Sequence, residues 1–390
     1  MKRFSFFILI FLLLVSVNSV YANEINIKSN NAVLYNLNDN KIIYEKNKDE
    51  KVSIASLTKL MTALVAIENI DNLNEYVSFV KSDYDELAKQ DASSSSLKKN
   101  RKYTYEDLLY GLILESGADC ANALARLTAG NENNFVKKMN QKAKDLGMEN
   151  SSFSNPIGLD NKNNYSTVQD VAILLKEDLN NPILNSILTT FSYKLTDGTV
   201  INHTIYEYMK SYKIKIPGIK GGKTGYELKS GYALASIASQ NGTTLMLITS
   251  KADNKPEHII DAESIYKYYF NNYSYQTIIE KDDVLVSLKT KYLNKSVVGI
   301  KANDDIKYYL KNNYDINDIR TEYEGTRTIT LKNKQNEKIG NLKIYYKNEL
   351  IMNYPIVLNQ PIYPSFLIMI VAVFIPLFAF IIFKLVYFKK

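Results

Sequence analysis

The sequence predicts an α/β sandwich, in which an antiparallel sheet packs against a helical cluster, followed by a small β-rich domain and one C-terminal transmembrane helix. Strand-like segments lie at both ends of the first 270 residues, with helical periodicity between them. Shorter β-prone segments follow residue 272. Ser365–Phe383 then carries no charge over nineteen residues. At about 1.5 Å per residue, that segment nearly crosses a hydrocarbon core of about 30 Å.

The sheet is predicted from two hairpin-like regions. Ala32–Tyr35 and Ile42–Tyr44 flank a polar turn. Near the other end, Gly231–Ser236 and Thr243–Ile248 flank the Asn241-Gly242 pair, a strong signal for a tight hairpin. Strands at both ends with helices between them favour one antiparallel sheet.

The most informative helix begins at Ser56. Leu57, Leu60 and Leu64 recur at the spacing of an amphipathic helix. Ser56 and Lys59 therefore lie one turn apart on the same face. A serine hydroxyl becomes a nucleophile when a base takes its proton, and a neutral lysine is such a base.

Other elements are predicted from local signals. The segment Thr104–Asp107 begins a helix that has Ser116 at its end, and Ser166–Gln169 is a capping-box helix start. Three strand-like segments predict the β-rich domain: Val284–Leu288, Thr328–Leu331 and Leu342–Tyr346.

Two more motifs accompany the Ser56 tetrad. Ser116-Gly117-Ala118 follows the predicted second helix, and Lys223-Thr224-Gly225 lies about a hundred residues further on. S-x-x-K, then a serine-based triplet, then K-T-G is the order found in serine β-lactamases and penicillin-binding proteins. The chain resembles that group.

Four further segments indicate which members of that group the chain resembles most. Tyr44–Asn47 and Ala55–Thr62 are close to the family's form, and Phe153–Asp160 resembles its F-x-N-P-H-G-L-D segment. Tyr165–Asp170 resembles its Y-S-T-x-x-D helix start. Over residues 25–270 the chain is similar to the low-molecular-mass penicillin-binding proteins that act as D-alanyl-D-alanine carboxypeptidases (peptidase S11 type). The resemblance implies a serine β-lactamase/DD-peptidase-like sandwich.

The resemblance implies that Ser56 is the acylated nucleophile and Lys59 the general base. Ser56 would attack the carbonyl between the two D-alanines of a peptidoglycan stem peptide, and water would hydrolyse the acyl-enzyme. Lys59 must be partly neutral near pH 7, so its pKa must fall about 3 units from about 10.4. Burial and Lys223 as a second cation are the expected causes. Ser116 would relay a proton to the leaving nitrogen.

The same resemblance places the substrate contacts on the K-T-G segment. Thr224 with Lys223 would hold the terminal carboxylate, and Gly225 would let the substrate backbone approach the strand closely. Backbone N–H groups of Ser56 and Tyr226 would form the oxyanion hole. The expected partners are a stem peptide ending in D-Ala-D-Ala and, as covalent inhibitors, β-lactam antibiotics.

Two positions depart from the family pattern. Ala118 stands where the family has an Asn, whose amide contacts the substrate carbonyl and the lysine. We therefore expect a rate lower by roughly ten- to a hundredfold, with Asn122 one helical turn away as a candidate replacement. Ile157 stands in place of a histidine at the wall of the site.

The expected domains are a signal peptide at 1–22, the DD-peptidase catalytic domain at 23–272, the β-rich domain at 273–360, and the transmembrane helix with a short basic tail at 365–388. Lys2 and Arg3 precede an apolar run that ends near a small-residue cleavage site. Lysines after the second apolar run place the tail in the cytoplasm. The expected location is the cell membrane, single-pass, with the catalytic domain on the extracytoplasmic side.

Charge and cysteine content argue against a nucleic-acid-binding protein and against a disulfide-bonded one. The net charge is +7, but five of those charges lie in the two terminal segments. The remaining +2 predicts no nucleic-acid partner. Cys120 is the single cysteine, so an intrachain disulfide cannot form. No His/Cys/Glu cluster has zinc spacing, and no metal or organic cofactor is implied.

Other functions stay open as alternatives. A β-lactamase would need a deacylating glutamate, yet no E-x-x-L-N segment lies between Ser116 and Lys223. His203 and His258 are the two histidines, and no G-x-S-x-G elbow accompanies them. A D,D-endopeptidase or transpeptidase acts on the same type of bond. Ala118 supports a degenerate, membrane-tethered wall-binding protein without activity.

Overall fold

The computed structural model describes residues 25–85, 87, 90 and 92–387. The chain divides into two compact units, one ending at Asn271 and the other beginning at Asn272. The predicted signal peptide, residues 1–22, lies outside the described residues.

Strands are numbered along the chain. The first unit contains β1 Asn31–Asn36, β2 Lys41–Lys46, β3 Tyr76–Ser78, β4 Lys102–Thr104, β5 Ser192–Lys194, β6 Val200–Asn202, β7 Ile219–Glu227, β8 Gly231–Gln240 and β9 Thr243–Ala252. The second contains β10 Tyr273–Ile279, β11 Val284–Thr290, β12 Val297–Lys301, β13 Ile306–Lys311, β14 Ile319–Gly325, β15 Thr328–Ile329, β16 Lys338–Tyr346 and β17 Glu349–Val357.

The α-helices are numbered in the same way. They are α1 Thr58–Ile67, α2 Tyr105–Leu114, α3 Ala118–Ala129, α4 Glu132–Asp145, α5 Val168–Asn180, α6 Pro182–Leu188, α7 Thr204–Tyr212, α8 Glu257–Asn272 and α9 Phe366–Tyr387. Short 3-10 turns cover Ala55–Leu57, Lys81–Asp83 and Ile316–Asp318.

The first unit is built on a five-stranded antiparallel sheet in the order β2-β1-β9-β8-β7. The β1–β9 pairing, with Val33 opposite Ile248, joins the two ends of the unit. The turn between β8 and β9 is made by Asn241 and Gly242, which both have positive φ as a type I′ turn requires. The predicted sheet is confirmed, and it leaves β7 at an edge.

Successive side chains of a strand point to opposite faces of the sheet, so the sheet packs against helices on both faces. On β8, Ala233, Ala235 and Ile237 belong to the core shared with the helical cluster. The hydroxyl of Tyr266 on α8 donates to the Ser236 carbonyl at 2.9 Å, from the opposite face. The predicted α/β sandwich is therefore confirmed, with α8 as a further layer.

Helix α1 runs through the middle of the cluster. All nine residues from Thr58 to Ala66 are buried, because α2, α3, α4 and α5 all contact this helix. The prediction of an amphipathic helix beginning at Ser56 is wrong on two points. The helix is buried all round, and Ser56 lies in the 3-10 turn that precedes it.

Side-chain caps set the starts of two helices. The hydroxyl of Thr104 accepts from the Asp107 amide at 3.1 Å at the start of α2, as predicted. For α5 the cap is Thr167, which accepts from the Asp170 amide at 3.0 Å. The predicted capping residue Ser166 is one position too early, because its carbonyl instead accepts from the Val52 amide at 2.8 Å.

The second unit is built from small sheets around its own core. β14-β16-β17 is antiparallel, β12-β11-β15 ends on a parallel pair, and β10 pairs with β13. Ile300, Leu342 and Ile344 lie in this core. The predicted β-rich domain is confirmed, although β15 covers only Thr328–Ile329 and is shorter than expected.

The C-terminal apolar run forms α9, a helix of 22 residues with Pro376 inside it. Its phenylalanines, including Phe374 and Phe378, are exposed. Within the part of the chain that the structure describes, no helix combines the length and hydropathy needed to cross a membrane. The predicted transmembrane helix is therefore not supported by the fold.

One carboxyl group lies inside the helical cluster without a hydrogen-bond partner among the described residues. Asp178 of α5 is 1% exposed, and both of its carboxyl oxygens lack such a partner. Burial, followed by the charges of Glu177 and Glu68, raises the pKa of Asp178 well above its ordinary value of 3.8. Above that value the unfolded chain ionises more readily than the native one, so rising pH lowers the free energy of unfolding.

We expect Asp178→Leu to stabilise the first unit at pH 7 by about 1–3 kcal/mol, because it removes a buried polar group that lacks a partner and a carboxyl that ionises more readily in the unfolded chain. The gain should shrink as the pH falls toward 4, where both states protonate Asp178 and only the first contribution remains. Chemical denaturation of the full chain at pH 4 and pH 7 measures this. Glu177→Gln is the control for charge on the same turn, and a gain independent of pH would contradict the explanation.

Candidate active site

Ser56 is held by a strained turn. It lies in the 3-10 turn Ala55–Leu57, directly before α1. Ala55 has a φ of +47°, a left-handed conformation that a non-glycine residue rarely adopts. Such strain persists only where the surroundings enforce it, and it is concentrated at functional sites.

Lys59 approaches the serine from the first turn of α1. Its Nζ lies 2.8 Å from Ser56 Oγ and donates to the Ile157 carbonyl at 2.7 Å. The side chain is 2% exposed. Burial lowers the pKa of Lys59 to about 7, although the Glu227 and Asp119 carboxylates oppose the shift. A neutral amine here can accept the Ser56 proton while it keeps its bond to Ile157.

Burial and Lys223 were the two expected causes of the lowered pKa of Lys59. Burial is confirmed as the largest cause, and Lys223 is not among the groups that shift this pKa. Lys223 is itself fully buried, and desolvation followed by the charge of Lys59 lowers its pKa well below the ordinary value. Its Nζ donates to the Thr224 carbonyl at 2.9 Å. A buried site that holds two amines favours keeping at least one of them neutral.

The loop that follows α4 and precedes α5 forms the floor under the serine. Asn155 Oδ1 accepts from three successive amides, those of Ile157, Gly158 and Leu159, at 2.7–3.2 Å. Thr62 on α1 donates to the Pro156 carbonyl at 2.6 Å. The loop therefore presents the Ile157 carbonyl to Lys59. Because that contact uses the backbone, the replacement of a histidine by Ile157 does not affect it.

Two glycines allow backbones to crowd the nucleophile. Gly158 has a φ of +92°, and a Cβ built on it would lie 2.1 Å from the Ala55 carbonyl oxygen and 3.1 Å from the Ser56 nitrogen. A Cβ on Gly225 of β7 would lie 3.2 Å from the same nitrogen. The Ser56 turn is thus enclosed by backbone from two sides.

Ser116 lies in the connection between α2 and α3. Its φ is +62°, so it is a second strained residue at this site. Ser93 Oγ donates to the Ser116 carbonyl at 2.6 Å and holds the turn. Ser116 is buried and lines the same cavity as Ser56 and Lys59.

The tertiary structure brings nearly all predicted site residues around one cavity of 190 Å³. Ser56, Lys59, Ser116, Thr224, Gly225 and Tyr226 line it. Lys223 does not line it, but it is buried close enough to Lys59 for the two amines to interact. Segments far apart in the chain therefore meet in one site.

Several lining residues were not predicted. Glu115 and Glu227 are acidic residues of the lining, and Thr204 and Tyr208 line the cavity from α7. Thr204 Oγ1 lies 2.8 Å from Thr224 Oγ1. No motif in the sequence marks α7, because its place at the site depends on how it packs against β7.

His203 positions α7 against the K-T-G strand. Its Nδ1 accepts from the Ile205 amide at 3.1 Å and caps the helix. Its Nε2 therefore carries the proton and donates to the Gly222 carbonyl at 2.8 Å. Burial lowers the pKa of His203 to about 4. The neutral ring is thus a structural link between α7 and β7.

Ala118 and its candidate replacement do not line the cavity. Ala118 is fully buried at the first position of α3. The Asn122 amide donates to the Asp83 carbonyl at 3.1 Å. Asn122 is therefore engaged elsewhere and does not replace the missing amide.

Comparisons with known proteins agree with this geometry. Residues 17–254 match the D-alanyl-D-alanine carboxypeptidase family, Peptidase S11, and residues 273–363 match the C-terminal domain of penicillin-binding protein 5. The D-alanyl-D-alanine carboxypeptidase DacF of Bacillus subtilis is 27% identical over 338 residues, which cover 87% of each chain. A D-alanyl-D-alanine endopeptidase of Escherichia coli is 29% identical over 252 residues, covering 63% of this chain and 78% of that one.

Two solved structures have the same fold. Penicillin-binding protein 5 from Haemophilus influenzae gives a TM-score of 0.66 at 22% identity, covering 87% of this chain and 98% of that one. The Streptomyces K15 DD-transpeptidase gives a TM-score of 0.57 at 28% identity, covering 63% of this chain and 98% of that one.

A sandwich fold that places a serine against a buried lysine, followed by a β-rich domain, defines a penicillin-binding DD-peptidase. More narrowly, the chain belongs to the D-alanyl-D-alanine carboxypeptidase family, peptidase S11, and is a serine-type hydrolase. The predicted family and enzyme class are confirmed.

The pKa of Lys59 makes acylation depend on pH. We expect the acylation rate with a penicillin to rise with pH and to reach half its maximum near pH 7, because the neutral amine is the base. Below pH 6 the rate should fall about tenfold per pH unit. Stopped-flow acylation between pH 5 and 9 measures this. A flat profile would rule out a neutral Lys59 as the base, and a midpoint near 10 would show that its pKa is not lowered in the folded protein.

A substitution at Gly158 tests whether the close approach of its backbone holds the Ser56 turn in place. We expect Gly158→Ala to slow acylation by about tenfold or more, because its Cβ must displace the Ala55 carbonyl and the Ser56 turn. Gly198→Ala is the matched control, since Gly198 also has positive φ (+89°) but open space around its Cβ position. Equal slowing by both substitutions would show that general backbone strain, and not displacement of Ser56, is responsible.

Proposed function

We propose that this D-alanyl-D-alanine carboxypeptidase removes the terminal D-Ala from peptidoglycan stem peptides through a Ser56 acyl-enzyme. The observation that carries the proposal is the distance of 2.8 Å between Lys59 Nζ and Ser56 Oγ, combined with a lysine pKa of about 7. A serine and its base are thus in hydrogen-bond contact before any substrate binds.

Acylation proceeds in two linked transfers. Lys59 takes the proton of Ser56 as Oγ attacks the carbonyl carbon between the two D-alanines. The C–N bond then breaks, and the leaving nitrogen receives a proton from Lys59 through Ser116. Water hydrolyses the ester, which returns the Ser56 hydroxyl and releases the shortened peptide.

Electrostatic contacts on β7 orient the substrate. The Thr224 hydroxyl holds the terminal carboxylate, and the buried Lys223 amine, which donates to the Thr224 carbonyl, supplies positive charge behind it. The negative charge of the carboxylate favours the protonated form of Lys223. Backbone N–H groups of Ser56 and Tyr226 stabilise the oxyanion, with each donor typically worth about 3 kcal/mol of barrier. β-Lactam antibiotics react with the same serine, as is typical of penicillin-binding DD-peptidases.

Ser56 is tested with a fluorescent penicillin. We expect a covalent band for the wild-type chain and none for Ser56→Ala. Ser53→Ala is the matched control, because its hydroxyl donates to Asp160 and does not line the cavity. A persistent band on the Ser56→Ala chain would exclude Ser56 as the nucleophile. D-Ala release from a pentapeptide then separates a carboxypeptidase from a wall-binding protein without activity.

We further propose that the chain is held at the cell membrane by its C-terminal apolar segment, with the first unit on the extracytoplasmic side. The nineteen uncharged residues Ser365–Phe383 and the lysines that follow support this. A chain ending at Tyr363 should move from the membrane fraction to the soluble fraction and still bind penicillin. Unchanged membrane association of that truncated chain would contradict an anchor in this segment.

A further inference from the structure

The second unit contains a cavity of 540 Å³ beside β12, the strand at the edge of the β12-β11-β15 sheet. We call this space the β12 cavity. The turn before β11 and the segment after β17 complete its lining, which includes Lys281, Lys295 and Lys301. All of its lining residues belong to the second unit, so none of them is part of the Ser56 site.

Positive charge dominates the lining of the β12 cavity. Lys281, Lys295 and Lys301 are three of its four charged residues and Asp282 is the fourth, which leaves a net charge of +2 at neutral pH. Within the part of the chain that the structure describes, none of the three ammonium groups has an ion-pair partner. Unpaired ammonium groups around one space favour an anionic ligand.

The neighbouring carboxylates are engaged within their own turns. Asp283 accepts from the Glu280 amide at 3.0 Å. Asp305 accepts from the Lys281 amide at 3.1 Å and pairs with the Lys307 ammonium at 3.8 Å. Neither carboxylate lines the β12 cavity, so the lysines keep most of its charge positive.

The edge of β12 is closed to an additional strand. The Gly299 carbonyl accepts from the Gln360 side-chain amide at 2.8 Å, and Asn359 Nδ2 donates to Asn303 Oδ1 at 2.8 Å. The segment after β17 therefore occupies a backbone acceptor that a pairing strand would need, and lysines at a sheet edge disfavour strand addition. The β12 cavity thus suits a charged group and not an extended peptide.

The start of α9 is fixed to the same end of the sheet. The Asn294 amide donates to the Tyr363 carbonyl at 3.1 Å, and the Ser365 amide donates to the Tyr292 carbonyl at 2.9 Å. These bonds join the loop between β11 and β12 to the residues directly before the apolar helix. Because Lys295 belongs to that loop and lines the β12 cavity, the cavity lies close to the point where α9 begins.

The side chains around this point are typical of a bilayer interface. Tyr292 is 55% exposed and Tyr363 is 58% exposed, and Lys291 Nζ lies 4.9 Å from the centre of the Tyr292 ring. Tyrosines and lysines are common where a helix passes from hydrocarbon into water. With α9 in the membrane, as proposed above, the β12 cavity lies near the lipid headgroups.

We infer that the β12 cavity binds the phosphate group of an anionic phospholipid in the membrane that holds the chain. The ammonium groups of Lys281, Lys295 and Lys301 compensate the phosphate charge. A soluble phosphate ester offers the same chemistry, but the attachment of the lining loop to the start of α9 favours a lipid. The inference rests on the proposed membrane anchor and is independent of acylation at Ser56.

The test uses the lack of tryptophan in the chain. Val297→Trp places one fluorescent reporter in the lining of the β12 cavity, at a position that is 49% exposed. The full chain in a non-ionic detergent is titrated with dihexanoyl phosphatidylglycerol. We expect a saturable change in emission that dihexanoyl phosphatidylcholine does not produce. Leu350→Trp is the matched reporter control, since Leu350 is also 49% exposed and does not line the cavity.

Removal of charge identifies the binding groups. Lys295→Gln with Lys301→Gln, added to the Val297→Trp chain, should weaken binding by about twentyfold, because each lysine near an anionic headgroup contributes roughly fivefold. Lys307→Gln is the matched control and should leave the affinity unchanged, since Lys307 pairs with Asp305 outside the cavity lining. An unchanged thermal unfolding profile shows that each variant is folded.

The outcomes separate the proposals. A titration without a saturable change, or equal weakening by the double variant and by Lys307→Gln, overturns the β12 cavity as a phosphate site. Glycerol phosphate that binds as tightly as the short-chain lipid overturns the lipid as its ligand. The carboxypeptidase is tested by penicillin labelling at Ser56 and the anchor by the chain that ends at Tyr363, so a failure of either differs from a failure at the β12 cavity.

Discussion

The removal of the Lys59 amine from water is the constraint on which the rest of the site depends. A charged ammonium at 2% exposure would be costly, so burial lowers the pKa to about 7. That shift makes an ordinary surface cation into a base matched to neutral pH. It requires a helix buried all round, which explains why α1 runs through the centre of the cluster and not along its surface.

A buried Lys59 amine can act as a base only if its N–H groups bond elsewhere and its lone pair points toward Ser56. The Asn155 side chain organises the loop by accepting three amides, and the Ile157 carbonyl then accepts from Lys59. One N–H is fixed, so the lone pair can face Ser56. The geometry of the loop thus directs the amine through the backbone of residue 157, and the Ile157 side chain takes no part in that contact.

The edge position of β7 links the fold to substrate binding. An edge strand has backbone groups available to a ligand, and Gly225 lets that backbone approach the Ser56 turn. His203 and Thr204 fix α7 beside the same strand. One boundary of the catalytic cavity is therefore set by the pairing of β7 with β8 and by the packing of α7.

The sequence by itself determined the three motifs, the hairpins, the β-rich second unit and the family, because each depends on residues close together in the chain or on a fixed order of motifs. It also identified Ser56, Lys59, Ser116 and Thr224 as residues that now line one cavity. It named burial as a cause of the Lys59 pKa but wrongly added Lys223, and it could not assign the strained φ of Ala55 and Ser116, the role of His203, or the place of α7 at the site. Only the tertiary structure decided these, because burial, enclosure and contact between distant segments are properties of packing and have no local pattern in the chain.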